Sequence, residues 1–83
     1  MLEMDKKKLA AAHATCETLV EKLAVLERAE RAATLKVVTQ AASPVVEASL
    51  RTIVRLRTVH AELGMVRPPV AAAHRALAAA FRN

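Results

Sequence analysis

The chain has 83 residues, of which 54% are hydrophobic, yet Phe81 is its one aromatic residue and its net charge is +5. That size fits a single domain over 1–83 that removes only about 60–65% of its extended-chain surface from water, and its Ala, Val and Leu make a thin core that gains from self-association. A lone cysteine excludes an internal disulfide, the lack of Tyr and Trp excludes a stacking platform for single strands, and no apolar run approaches the ~18–20 residues of a membrane span.

One Gly and three Pro leave few helix breakers, so the class is all-α. The first helix is predicted over about 5–38. Leu9, Cys16, Leu23 and Val37 recur at sevens, with Glu30 interrupting, and Ala12, Leu19, Leu26 and Ala33 follow at an offset of three. Together they form a seam that packs against another helix at a shallow angle. Glu17, Glu21, Lys22, Glu27, Arg28, Arg31 and Lys36 lie outside it on a solvated face. Lys6, Lys7 and Lys8 oppose the dipole at the helix start and read as a solvated end.

After TQAAS, Ser43 is a good N-cap and Pro44 fits the first helical position, so a second helix is predicted over about 44–63. Gly64 supplies its left-handed end, and Pro68-Pro69 prevent continuation. Val46, Ser49, Ile53, Leu56, His60 and Leu63 follow one face, flanked by Val45, Thr52 and Val59. The short link predicts an antiparallel helical hairpin of these two long helices. A short third helix is expected over about 70–82, presenting Val70, Ala73, Leu77 and Phe81.

Charge divides unevenly, with +1 over residues 1–43 and +4 over 44–83. Arg51 and Arg55 share a face of the second helix, Arg57 lies on a neighbouring face, and Arg67, Arg75 and Arg82 follow. Guanidinium groups hydrogen-bond phosphate through a planar fork, so this field of arginines is the candidate contact to DNA backbone. The bland alternative for the same residues is a soluble basic surface.

His13, His60 and His74 lack metal-ligand spacing, and Cys16 has no second thiol, so no metal site and no cofactor are expected. Cys16 at a seam position reads as a small hydrophobe. With no Gly-rich phosphate cradle and no pocket-building loops, no catalytic residue is assigned and the chain is expected not to be an enzyme. It is expected to be soluble and cytoplasmic.

The stretch SPVVEASLRTIVRLRTVHAELGM, residues 43–65, resembles the C-terminal helix of one family of phage terminase small subunits, in Ser43-Pro44, Leu56-Arg57, Glu62-Leu63-Gly64-Met65 and the following Pro68. The resemblance covers roughly residues 15–69. The chain departs from the family pattern in the later position of Pro68, in the missing polar Thr-Pro-x-x-Arg ending, and in having no helix–turn–helix before its first helix. Such a short form is similar to what a gene transfer agent needs, taking DNA with little sequence preference.

The resemblance implies a ring-forming, non-enzymatic homo-oligomer that delivers double-stranded DNA to a large terminase subunit and regulates its ATPase and nuclease. Under it, Leu9, Cys16, Leu19, Leu23, Leu26, Ile53, Leu56 and Leu63 form the seams of core and oligomer. Arg51, Arg55 and Arg57 would meet DNA backbone, and the segment after Gly64, with Leu77 and Phe81, the large subunit; Val70, Leu77 and Phe81 are the partner-binding residues if the chain is an adaptor. The competing expectation is a small helical adaptor, inhibitor or co-chaperone that grips another protein through that same C-terminal helix. A helix–turn–helix regulator fits least, since neither long helix begins with base-reading side chains.

Overall fold

The computed structural model describes residues 2–82, with side chains from Lys6 onward. They form four helices, α1 (Leu2–Ala24), α2 (Arg28–Ala41), α3 (Pro44–Glu62) and α4 (Pro68–Arg82), and no strand is present among the described residues. None of the helices is long and apolar enough to cross a membrane.

The first helix expected over 5–38 is two helices. At 1.5 Å per residue it would be about 50 Å long, whereas the longest dimension of the molecule is 42 Å. Its ladder tightens before the break, with the Val25 N–H donating to the Lys22 carbonyl at 3.3 Å and the Leu26 N–H to the Leu23 carbonyl at 3.1 Å. Glu27 is then extended, at ψ 158°, and its carbonyl accepts from the Arg31 N–H at 2.8 Å to start α2. The Arg31 guanidinium also donates back to the Leu26 carbonyl, satisfying an orphan acceptor at the end of α1. Neither Gly nor Pro makes this turn. Packing accounts for it: the bend carries Leu35 into the core and sets Leu26 and Val38 against it.

The expected side-by-side hairpin is likewise replaced. Ser43 and Ala42 are both extended, so α3 leaves the line of α2 and packs between α1 and α4, while α2 packs chiefly on α4. Local signals hold at the ends of α3. The Ser43 hydroxyl accepts from the Val46 N–H at 3.3 Å, and Gly64 takes φ +72° just past the helix. The last helix begins earlier than expected, at Pro68, because a first-turn proline gives up only an N–H that has no helical partner.

Cys16, Val20 and Leu23 from α1, Leu35 from α2, Leu50, Ile53 and Val54 from α3, and Leu77 from α4 form the core. The seam residues therefore separate. Cys16, Leu23 and Ile53 are buried, Leu19 and Leu26 are partly buried against them, and Leu9, Leu56 and Leu63 face solvent in the single chain. The reason on α3 is that its buried arc is centred near Leu50 and Ile53, which takes Ser49 inside and leaves Leu56 and Leu63 beyond its edge.

Candidate nucleic-acid interface

Arg51 and Arg55 stand one turn apart on α3 and are exposed, as expected for residues spaced by four. Arg51 donates from Nε and Nη2 to Glu47 Oε1 at 3.3 and 3.0 Å, an exposed pair that positions the guanidinium more than it stabilises the fold. Its Cζ also lies 4.4 Å from the centroid of the Phe81 ring on α4, a cation–π contact between the two helices. Phe81 is half-buried and serves as a shared wall between two surface grooves.

One groove runs between α2, α3 and α4, lined by Lys36, Thr39, Arg51 and Arg82. The other lies between α3 and α4, where Arg51, Arg55, Arg75 and Arg82 surround Val54, Val59, Ala78 and Phe81. Glu62 is the one carboxylate that lines either groove. The result is a continuous face with five cationic side chains drawn from three helices, and its apolar floor lowers the screening of those charges.

Arg57 does not belong to this face. Its Nη2 lies 3.5 Å from Glu21 Oε1, so it ties α3 to α1 on another side of the helix. Conversely, Arg75 and Arg82, which the sequence placed in the basic field but not among the three residues assigned to DNA, line the grooves, and so does Lys36, which was read as part of a solvated face. The signal available was the seven-residue spacing of Arg75 and Arg82, which puts both on one face of α4.

The residues expected to bind a partner protein are placed differently from the expectation. Val70, Leu77 and Phe81 do share one face of α4, but that face turns inward onto α2 and α3, and Leu77 is only 1% exposed. In this fold Leu77 is a core residue, Phe81 is half-buried, and Val70 stays exposed at the helix start.

Two further polar groups lie inside. The Cys16 thiol donates to the Val46 carbonyl at 3.7 Å, and burial raises its pKa, which keeps it a protonated thiol. His74 is buried on α4 with no partner for Nδ1, and desolvation, followed by the charge of Arg57, lowers its pKa and keeps it neutral. Among the described residues no group of three or more His, Cys, Asp or Glu is placed to hold a metal. In comparisons with known proteins the chain matches no family model, no curated protein and no solved structure.

Proposed function

We propose that this chain is a non-enzymatic DNA-packaging protein of the terminase small-subunit type, acting in the cytoplasm as a homo-oligomer. Its task is to hold duplex DNA through the phosphate backbone, present it to a large terminase subunit, and regulate that subunit's ATPase and nuclease. The observation that carries the reading is the basic face: Lys36, Arg51, Arg55, Arg75 and Arg82 line two adjoining grooves, with Glu62 the one carboxylate lining them and Glu47 paired to Arg51 at the edge. The resemblance of residues 43–65 to terminase small subunits supplies the packaging context.

Fork-shaped guanidinium groups suit phosphate oxygens, and release of condensed counterions supplies affinity that does not depend on sequence. The face is arginine-rich and has no Asn or Gln among its lining residues, so it grips backbone without a polar amide set to read adenine edges. The adaptor reading has less support, because of the Val70, Leu77 and Phe81 it uses, Leu77 is buried and Phe81 half-buried.

Fluorescence anisotropy with short duplexes of unrelated sequence tests this. The wild-type protein should bind all of them with similar affinity. Arg75→Ala/Arg82→Ala should weaken binding by about tenfold or more, as loss of two phosphate contacts predicts. Arg57→Ala, which removes a cation outside the face, should change affinity by less than about twofold. Failure of the wild type to bind duplex, or equal binding by the double variant, overturns the proposal.

A further inference from the structure

The helix α3 has more apolar surface than its own chain covers. Ser49, Leu50, Ile53, Val54 and Ala61 face inward, yet Val45, Leu56, Val59 and Leu63 are exposed at 56%, 53%, 45% and 69%. With Thr52 they fall at spacings of 7, 4, 3 and 4, the pattern of a coiled-coil seam on one side of the helix. Leu63 continues the register, since its N–H still donates to the Val59 carbonyl at 3.0 Å. A helix apolar on two sides, in a molecule this small, is built for a second helix.

The charges beside the stripe say which helix. Arg55 and Glu62 lie seven residues apart along the same edge of the stripe, with Val59 midway between them. Among the described residues neither takes part in an ion pair; those present are Arg51 with Glu47 and Arg57 with Glu21. When two helices pack antiparallel about a two-fold axis, the same edge of each faces the other, and residues equally far either side of the axis meet. An axis beside Val59 therefore brings each Arg55 onto the opposite Glu62. Leu56 then meets Leu63, and Val59 meets its own copy. A parallel pairing in register would leave Arg55 level with Arg55 and Glu62 level with Glu62.

We propose that this exposed side of α3 is a self-association surface, occupied by α3 of a second copy packed antiparallel, with reciprocal Arg55–Glu62 ion pairs. The proposal rests on the homo-oligomer of the reading above and gives it a two-fold contact, which by itself closes at a dimer; its readout is separate from DNA binding, although Arg55 also lines the basic face. Pairing also draws Glu62, the carboxylate that would repel phosphate, into an ion pair and leaves Lys36, Arg51, Arg75 and Arg82 of each copy for the backbone. A contact of one helix side per copy is at the small end for a specific interface, and it is sought over micromolar protein concentrations.

Sedimentation velocity across that range tests it, with circular dichroism to verify folding and anisotropy on the same samples to read DNA binding separately. The wild type should pass from monomer to dimer. Leu56→Gln/Leu63→Gln changes residues that face solvent in the single chain and should raise the dimer dissociation constant at least about tenfold. Arg55→Glu and Glu62→Arg should each do the same through like-charge contact, and the double swap Arg55→Glu/Glu62→Arg should return it to within about threefold of wild type. A wild type that stays monomeric, or a swap that restores nothing, overturns the proposal. Self-association indifferent to Leu56→Gln/Leu63→Gln overturns this surface while leaving the oligomeric reading in place.

Discussion

His74 shows how one buried group sets a condition on the whole fold. The residue is buried and its Nδ1 has no partner, while the nearby Thr58 hydroxyl donates to the Val54 carbonyl at 2.8 Å. Desolvation first, and the positive charge of Arg57 second, lower its pKa, so the folded protein holds the neutral ring. The unfolded chain takes up a proton as pH falls through about 6.5, where a free imidazole titrates. Stability from the neutral ring is thus complete above that value and declines as pH drops from it toward the lower folded pKa. Urea midpoints should fall between about pH 7 and pH 5, and His74→Leu, which leaves no group to protonate, should flatten that decline. An equal decline in the variant would assign the acid sensitivity to other residues. Cys16 obeys the same burial logic in the opposite direction, since the charged form of a thiol is the anion and burial raises its pKa.

At the level of elements, the helix ends that local chemistry decides were legible and those that packing decides were not. Ser43-Pro44 and Gly64 bound α3 through a side-chain cap, a preset φ and a left-handed residue, all of which reside in the residues themselves. The break between α1 and α2 has no such marker, because Val25, Leu26 and Glu27 are ordinary helix residues and the bend is stabilised by Leu35 reaching the core. For the same reason the single face read on α3 is only partly the buried one: Ser49 and Ile53 go inside as expected, Leu50 and Val54 join them, and Leu56 and Leu63 stay outside. The local signals carry measurable energy. A Cβ at Gly64 would meet nothing within 4 Å, so Gly64→Ala costs only the strain of φ +72°, about 1–2 kcal/mol. Thermal melts should show a midpoint roughly 4–16 °C lower for a chain of this length. Ser43→Ala, which leaves the Val46 N–H without its acceptor, should lower it by about the amount that 1 kcal/mol produces. No change at Gly64 would mean that the turn relaxes to another conformation.

Across the whole molecule, the basic face exists only after folding. Arg51 and Arg55 were readable as neighbours from their spacing, whereas Arg57 was grouped with them although Glu21 holds it on the α1 side. Lys36, Arg75 and Arg82 reach the face because α4 lies between α2 and α3, a tertiary relation that no spacing along the chain contains. A face of that composition has a thermodynamic signature distinct from a generally basic surface. If about four of its five side chains meet phosphates, the logarithm of the DNA association constant should fall with the logarithm of salt concentration at a slope near −3.6, from about −0.9 per contact. Each substitution at a contacting residue should then reduce the slope by about 0.9 while weakening binding equally for every sequence. Arg75→Ala is the informative case, since Arg75 has no ion pair among the described residues and its removal disturbs neither the Arg51–Glu47 pair nor the core. Titrations of wild type and Arg75→Ala at several salt concentrations read the slopes directly. A wild-type slope near −1, unchanged in the variant, would mean that these arginines touch solvent and not DNA.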